Sequence, residues 1–393
     1  MMSGLQEKAA LVHGPVDNAT VVIVGAGLTG SALLDMVIEQ WQVVLVDFDV
    51  VEEATRLAPA FRTSRAGAFK AQVAARRRRA LGRGWTVALP LSVHDLGEGF
   101  WRRVSRCRPA AVVDATDNGA AHAAIAVAAK RFGLPVIQTG IGGLSGVVRT
   151  FAPQTQEACW RCLGMPESSQ RQSCLSGTVA VNPDEVAARP TRAHPAAAAA
   201  TAALALVTLH RVLSAPETQS AEFRLELRSG CMQSAALKKA DDCDHTPAAE
   251  PILEIPTADS HTRIEKILRC VPQVRSRYPL ILWRRGLVAE VVCAGCGWLR
   301  RQWTAIGGRL RRCPECGGAE LLVAEDEVHA AVHVDNIAEL APADIGMPLW
   351  PILWLSNGET AVGLELSGDI KWLGPLARQW RTDQTAEAIG DHV

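Results

Sequence analysis

The chain has 393 residues, enough for about two or three domains with a sizeable core. Its 41 Lys and Arg residues balance 41 Asp and Glu residues, which argues against a dedicated nucleic-acid-binding protein because such proteins carry a basic excess. No N-terminal signal peptide is evident, and the most apolar stretch, residues 196–209, is too short and alanine-rich to cross a bilayer. The sequence therefore predicts a soluble, cytoplasmic protein without membrane or nucleic-acid contacts.

A strand, a glycine turn, a helix and a second strand follow one another in residues 20–49. The first strand, the helix and the second strand are expected over residues 21–24, 28–39 and 43–46, respectively. Gly25, Gly27 and Gly30 form the pattern G-x-G-x-x-G, and the second strand ends in Asp47 and Asp49. Glycines let the backbone approach a phosphate, a helix N-terminus attracts it, and an acid accepts hydrogen bonds from a ribose. The unit predicts a nucleotide site without specifying the nucleotide.

Short strands and helices continue to alternate as far as residue 138. They are expected as a helix over 67–81, a strand over 85–91, a strand over 110–113, a helix over 120–132 and a strand over 134–138. This alternation predicts an α/β fold with a Rossmann-like, mostly parallel sheet and helices on both faces. The Arg76–Arg79 run is expected to be a solvated helix face, with a phosphate or acidic-partner contact as the alternative.

Four acids follow predicted strand ends beside the glycine turn. They are Asp47, Asp49, Asp114 and Asp117. Ligands bind beyond the carboxyl ends of such strands, and Mg²⁺ is held by one or two carboxylates together with phosphate oxygens. The cluster therefore favours a magnesium-bound triphosphate, with Lys70 as the cation for its phosphates.

The second half of the chain is expected to be less regular. Residues 1–19 are expected to form an N-terminal arm, 20–248 an ATP-binding domain, 249–287 a linker with connecting elements, 288–322 a zinc ribbon and 323–393 a small C-terminal α+β region that binds a partner. Within the second of these ranges, strands are expected over 147–152 and 223–227, with a buried helix over 196–213.

Six of the eleven cysteines form three C-x-x-C pairs. The pairs are Cys159/Cys162, Cys293/Cys296 and Cys313/Cys316. Without an export signal, such pairs indicate zinc rather than disulfides. The last two pairs have zinc-ribbon spacing, with Gly297 and Gly317 following them, and four thiolates make a closed structural site. Two redox pairs are the alternative.

Five motifs in order resemble the ThiF/MoeB and ubiquitin-activating enzyme superfamily. GAGLTG, VDFD, GAFK, DATDN and CWRC carry the resemblance, which covers roughly residues 18–248. The resemblance implies adenylation, with MgATP, of the C-terminal glycine of a ubiquitin-like or sulfur-carrier protein. It also implies a homodimer, or a heterodimer, and a conjugating enzyme as a further partner.

The resemblance also implies roles for individual residues. Asp47 would bind the ribose, Lys70 the phosphates, and Asp117 the magnesium and the α-phosphate region. Asp49, Arg56 and Asn118 complete the expected nucleotide contacts. Cys174 would be the nucleophile that captures the activated acyl group as a thioester or persulfide-linked carrier; its alternative is an inert loop thiol. Cys243 and His245 would complete a zinc site with the Cys159/Cys162 pair, with Cys231 as a spare candidate.

The chain departs from the family pattern at several basic positions. ATRLAPAFR (54–62) replaces an Asn-Leu-x-Arg-Gln stretch, so that Arg56 or Arg62 would have to substitute for the arginine. His122 stands where relatives carry an arginine after DATDN. These departures leave open a degenerate relative that binds a ubiquitin-like protein without full ATP chemistry. A nicotinamide-dependent oxidoreductase is a further alternative, because G-x-G-x-x-G and Asp47 also suit its cofactor.

Tryptophan is concentrated near the C-terminus. Seven of eleven lie after residue 280: Trp283, Trp298, Trp303, Trp350, Trp354, Trp372 and Trp380. For each residue alone, core packing is the expected role. A docking surface for a carrier protein is the functional alternative for the region as a whole.

Overall fold

In a computed structural model, the chain divides into two compact units. The first combines residues 1–91 with 104–247, and the second combines residues 92–103 with 248–393. The structure describes residues 16, 18–107, 109–163, 193–215, 218–241, 243, 250–305, 313, 315–317, 321–323 and 328–368.

The first unit is built on an eight-stranded sheet. Its strands are β1 (Thr20–Val24), β2 (Gln42–Val46), β3 (Thr86–Leu89), β4 (Ala110–Asp114), β5 (Val136–Gly142), β6 (Ser145–Phe151), β7 (Ala221–Glu226) and β8 (Cys231–Ala236). They lie in the order β3-β2-β1-β4-β5-β6-β7-β8. Strands β1 to β5 pair in parallel, whereas β5 to β8 pair antiparallel. The predicted Rossmann-like, mostly parallel sheet is thereby confirmed in the half that carries the glycine turn.

Five helices connect or follow these strands. They are α1 (Leu28–Met36), α2 (Lys70–Ala80), α3 (Glu98–Arg106), α4 (Gly119–Arg131) and α5 (Pro195–Ser214). The chain moves outward from β1 through β2 to β3 and then, from β4 to β5, in the opposite direction. Because parallel crossovers are right-handed, α1 and α2 lie on one face of the sheet and α4 on the other. The reversal places a switch point between β1 and β4, where such sheets bind ligands.

The core of the first unit follows from its apolar runs. Every residue of β1 is buried, and α1 and α5 supply Leu33, Leu34 and Leu209 to the same core. One helix of the described chain, α5, is by length and composition apolar enough to cross a membrane, and half of its most apolar window is buried. At 20 residues it is longer than the stretch expected from sequence, and it packs on α1, β5 and β6 as a core helix.

The expected solvated face of the Arg76–Arg79 run is wrong at Arg78, whose side chain is fully buried. Its guanidinium donates to the carbonyl oxygens of Leu34 (3.3 Å) and Ile38 (3.0 Å), near the C-terminal end of α1, and of Arg83 (2.5 Å). Burial lowers the pKa of Arg78 to about 10. The carbonyls that a helix leaves unpaired at its end need donors, and Arg78 provides them.

The second unit contains a seven-stranded sheet. Its strands are β9 (Ile252–Ile255), β10 (Leu280–Cys293), β11 (Leu299–Ala305), β12 (Leu321–Val323), β13 (His329–His333), β14 (Ile352–Ser356) and β15 (Ala361–Leu366), and its short helices are α6 (Ile264–Arg269) and α7 (Pro272–Arg277). The path is β11-β10-β14-β15-β9, and β12 and β13 also pair with β10. The expected α+β character of the C-terminal part of the chain is confirmed, but its described α-helices lie within residues 264–277 and not after residue 323. Residues 252–255, which the sequence suggested as linker, form a strand.

Residues 92–103 belong to the second unit and are held there by buried charges. Glu365 on β15 forms ion pairs with Arg102 and, at 3.2 Å, with Arg103. Arg103 also pairs with Glu254 on β9 at 2.6 Å. Trp354 donates its indole N–H to Glu98 at 2.6 Å. A segment between β3 and β4 thus packs on strands that lie far along the chain.

The described C-terminal tryptophans favour core packing over a docking surface. Trp350 is buried, and Trp283 and Trp303 pack against the core of the second unit. Within the described part of the chain, no tryptophan after residue 280 is exposed. Trp372 and Trp380 lie outside the described residues.

Candidate functional site

The glycine turn joins β1 to α1, and each glycine has its own reason to lack a side chain. Gly25 has φ +97°, and a Cβ there would lie 2.5 Å from the carbonyl oxygen of Ala115. A Cβ on Gly30 would lie 1.9 Å from the carbonyl oxygen of Gly25. Around Gly27, a Cβ would meet nothing within 4 Å. Gly25 and Gly30 therefore allow close backbone packing, while Gly27 leaves open space at the N-terminus of α1, where phosphates bind.

Two acids at the end of β2 contact this turn and Lys70. Asp47 accepts hydrogen bonds from the backbone N–H of Ala26 (2.6 Å) and of Asp49 (2.7 Å). Asp49 pairs with the Lys70 ammonium group at 3.0 Å. Burial raises the pKa of Asp47, while the Ala26 N–H and the charge of Lys70 act in the opposite direction. Each Asp47 oxygen retains acceptor capacity for a ligand hydroxyl.

The loop after β4 presents Asp117 beside the glycine turn. Ala115 donates its N–H to the carbonyl oxygen of Val24 at 2.8 Å, so that the loop starts against the end of β1. Asn118 caps α4 by accepting from the N–H groups of Ala120 (2.8 Å) and Ala121 (3.3 Å). Asp117 is exposed, and among the described residues its carboxylate forms neither a hydrogen bond nor an ion pair. Asp117 is therefore available to a ligand.

A histidine pairs with a buried carboxylate behind this loop. The Asp114 side chain accepts from the Thr116 hydroxyl at 2.7 Å through one oxygen, and its other oxygen lies 2.7 Å from Nδ1 of His122. The sequence placed Asp114 at the ligand edge and treated His122 only as a replaced arginine. The structure shows instead that Asp114 points into the protein and binds His122.

A row of polar side chains crosses the sheet from Asp114. Gln138, Arg149 and Glu222 occupy successive positions in register with Asp114 on β5, β6 and β7. Arg149 donates to Gln138 (3.0 Å) and to Glu222 (2.5 Å). Burial opposes ionisation of Glu222, but hydrogen bonds from Arg149 and Arg224 outweigh it and lower its pKa. The sequence analysis missed this row; its signal was a polar residue inside each of two apolar strands, VIQTG and VVRTF.

One residue expected to contact the nucleotide, Arg56, is held within its own loop. Arg56 pairs with Glu53 at 2.9 Å and donates to the carbonyl oxygen of Ser64 at 3.1 Å. Its side chain thus has partners within its own loop. Cys174, the expected nucleophile, lies outside the described residues.

Three thiols meet in the first unit, as expected from the sequence. Sγ of Cys159 lies 3.7 Å from Sγ of Cys162 and 3.6 Å from Sγ of Cys243. Tetrahedral zinc with Zn–S bonds of about 2.3 Å separates two sulfurs by about 3.8 Å, whereas a disulfide would hold them at about 2 Å. The spacing therefore fits zinc. The spare candidate Cys231 is exposed on β8 and outside this cluster, and His245 lies outside the described residues.

Four thiols meet in the second unit at the end of β10. They are Cys293, Cys296, Cys313 and Cys316. Sulfurs of the two pairs approach to 3.5 and 3.6 Å, which again suits zinc. Gly297 and Gly317 both have φ +70°, and each donates its N–H at 2.9 Å to the carbonyl oxygen of the first cysteine in its pair. The backbone N–H of Cys296 lowers the pKa of Cys293 to about 7, which favours the thiolate.

Comparisons with solved structures give weak similarities. Two E. coli MccB structures, one with AMPCPP and selenomethionine MccA and one with ATP, align at 15% identity and a TM-score of 0.43, over 58% of this chain and 67% and 66% of MccB. A selenomethionine PaaA structure aligns at 16% identity and a TM-score of 0.39, over 56% of this chain and 65% of PaaA. Superpositions this weak establish neither fold nor activity. No curated protein sequence matches the chain.

The family comparison is decisive. The model of the ThiF family matches residues 14–245, which span the glycine turn, the acids at the strand ends, Lys70, the DATDN loop and the three-thiol cluster. This match covers more than half of the chain and includes the whole described site of the first unit. The chain belongs to the ThiF family.

Proposed function

We propose that the chain uses MgATP to adenylate the C-terminal glycine of a ubiquitin-like or sulfur-carrier protein. Membership of the ThiF family supports ATP binding and nucleotidyl transfer as the general chemistry. The observation that carries the specific proposal is the arrangement of charges at the strand ends. Asp47 binds the glycine turn, Lys70 pairs with Asp49, and the loop that carries the exposed Asp117 starts against the end of β1. A cation together with several carboxylates suits a magnesium-bound triphosphate better than a dinucleotide, which needs only an acid for its ribose.

The described contacts support separate roles in nucleotide binding. Asp47 holds the turn through Ala26 and can accept from a ribose hydroxyl. Lys70 is largely buried and Asp49 holds its ammonium group in place, and in this proposal that group contacts the phosphates when ATP binds. Asp117 is exposed, with acceptor capacity for a metal ion. Mg²⁺ bound there would neutralise phosphate oxygens as charge develops on them.

The reaction follows from these charges. A carboxylate oxygen of the terminal glycine attacks the α-phosphorus of ATP, and the bond to the bridging oxygen of the β-phosphate breaks. The products are an acyl-adenylate and pyrophosphate, so that no proton or redox partner is required. Two anions must approach each other, and Lys70 reduces their repulsion in a partly desolvated site.

A second step and the assembly remain proposals that rest on the family resemblance. Cys174 would attack the acyl carbon, expel AMP and hold the carrier as a thioester before it passes to a conjugating enzyme. Residues 323–393 would bind a partner. The chain would act as a homodimer, or as a heterodimer whose second subunit provides the arginines replaced here.

We propose zinc in both thiol clusters, in a structural role. Four thiolates in the second unit fill a tetrahedral shell and leave no open position. In the first unit, Cys159, Cys162 and Cys243 provide three ligands, and His245 is the proposed fourth. Neither cluster contributes a group to the adenylation step.

ATP–pyrophosphate exchange with candidate carriers ending in Gly-Gly tests the proposal. The wild type should exchange only with a carrier present, and Asp117→Ala should lose exchange while still binding the carrier. A matched Glu359→Ala variant, which removes an exposed acid of the second unit, should retain it. Carrier binding without exchange would favour the degenerate binding module, and NAD(H) binding without ATP binding would favour the oxidoreductase.

A further inference from the structure

The cluster of Asp114, Thr116 and His122 lies behind the loop that carries Asp117, and the reaction proposed above does not use it. Asp114 ends β4, Thr116 lies in the loop and His122 lies in the first turns of α4. The cluster therefore joins three consecutive parts of the chain on either side of Asp117.

Hydrogen bonds close the loop at both ends. One Asp114 oxygen accepts from the Thr116 hydroxyl (2.7 Å) and from its backbone N–H (3.1 Å). The Thr116 hydroxyl also lies 3.1 Å from Nδ1 of His122. Asn118, on the other side of Asp117, accepts from the start of α4. With Thr116 and Asn118 both fixed, Asp117 can project outward in only a narrow range of directions.

His122 is the basic partner of Asp114 in this cluster. The Asp114 side chain is 2% exposed, and among the described residues His122 is its one ion-pair partner. A buried carboxylate that loses its partner is strongly destabilised, so the contact with His122 holds the Asp114 side chain where it accepts from Thr116. The Trp160 ring lies 5.9 Å from the imidazole, centroid to centroid, and covers one side of it.

We propose that His122 is a positioning residue for nucleotide binding: through Asp114 and Thr116 it holds the loop so that Asp117 is aimed at the magnesium–phosphate end of ATP. This role rests on the proposed adenylation. His122 itself does not touch the nucleotide.

The charges around His122 predict how this role depends on pH. Asp114 from β4 and Asp117 from the loop favour the protonated ring, whereas burial and Arg149 from β6 oppose it, and the net effect raises the pKa of His122. A raised pKa means that the charged pair is fully present below about pH 6.5, the unfolded value, and is lost as the pH rises through the folded value. Nucleotide affinity should therefore weaken across that same interval.

The test combines histidine NMR with MgATP binding in the full chain. His122→Gln identifies the His122 resonance by its absence, and that resonance should titrate above pH 6.5 in the wild type and lower in Asp114→Asn. His122→Gln should bind MgATP about tenfold more weakly than the wild type at pH 6 and without pH dependence. His122→Arg should restore tight binding at every pH. Thr116→Val removes the hydroxyl link and keeps only the backbone hydrogen bond to Asp114, so it should weaken binding and reduce the pH dependence.

Controls separate this role from stability and from the proposed function. His261→Gln replaces an exposed histidine of the second unit and should bind like the wild type, and thermal unfolding should show each variant folded. MgATP affinity within about twofold of the wild type in a folded His122→Gln protein would overturn the positioning role while leaving adenylation intact. A wild type that binds no MgATP would overturn both.

Discussion

The two thiol clusters have similar geometry but differ in what they hold together. In the second unit, four cysteines lie within 24 residues on two matching turns. In the first unit, 84 residues separate Cys159 from Cys243. The first cluster also adjoins α4: Lys130 donates to the carbonyl oxygen of Glu157 at 3.1 Å, just before the C-x-x-C turn, and Trp160 within that turn covers His122.

This difference predicts that a metal in the second unit would stabilise only its own ribbon, whereas a metal in the first unit would also affect nucleotide chemistry. Metal in the second unit would close a short ribbon whose turns are already formed by backbone hydrogen bonds. Metal in the first unit would close a long loop, which gains more from cross-linking, and would fix the turn that packs on the helix of the DATDN loop. We therefore expect nucleotide chemistry to depend on the first cluster and not on the second.

The largest effect on pyrophosphate exchange is expected at Lys70, which lies in the first unit. Lys70→Ala should lower carrier-dependent pyrophosphate exchange by about 100-fold or more, because it removes a preorganised charge from the phosphates. Lys266→Ala, an exposed lysine of the second unit, is the matched control and should exchange normally. Equal activity in both variants would show that Lys70 is a structural partner of Asp49 and no more.

Substituting one cysteine in each cluster tests whether only the first cluster affects nucleotide chemistry. Cys159→Ser and Cys296→Ser should each lower the zinc content, measured by mass spectrometry, from two ions to one per chain. Cys159→Ser should also lower exchange by about tenfold or more, whereas Cys296→Ser should leave exchange unchanged. Loss of exchange in both, with both proteins folded, would contradict the independence of the second unit.

Substitutions in the glycine turn should separate packing from ligand approach. Gly30→Ala places a methyl group against the Gly25 carbonyl and should lower the free energy of unfolding by about 3 kcal/mol or more. Gly27→Ala meets open space, so its stability should stay within about 1 kcal/mol of the wild type while MgATP affinity falls. Denaturant unfolding and ATP titration measure the two effects. Unchanged ATP affinity in Gly27→Ala would show that the phosphates do not bind beside Gly27.

The smallest expected effect is at Arg78 on α2, whose side chain binds carbonyl oxygens near the C-terminal end of α1. Arg78→Met should lower the free energy of unfolding by about 2 kcal/mol, because buried carbonyl oxygens of Leu34 and Ile38 lose their donor. Arg76, like Arg78, lies on α2 but is exposed, so Arg76→Met should leave the free energy of unfolding unchanged. Similar melting temperatures for the two variants would argue that water replaces the guanidinium.

Sequence motifs predicted those structural features that depend only on residues close together in the chain. The glycine spacing and the apolar strands specified the parallel half of the first sheet. The ribbon spacing specified the second thiol cluster, since each pair needs only its own turn.

Contacts between residues far apart in the chain could not be predicted from such motifs. Glu365 pairs with Arg102 and Arg103 across more than 260 residues, so nothing local indicated that residues 92–103 belong to the second unit. Arg149 was hidden in an apolar strand, and Arg78 in a basic run that resembled a solvated surface. A buried charge is stable only with its partners, and those partners are set by the tertiary structure.

Oxygen transfer tests the central claim most directly. A carrier whose C-terminal carboxylate is labelled with ¹⁸O is incubated with the protein, MgATP and hydroxylamine to capture the activated acyl group. Adenylation predicts one ¹⁸O atom in each AMP released and an equal amount of carrier hydroxamate, because the attacking carboxylate oxygen stays on phosphorus. Unlabelled AMP, or ATP consumption without hydroxamate, would contradict activation of the carrier.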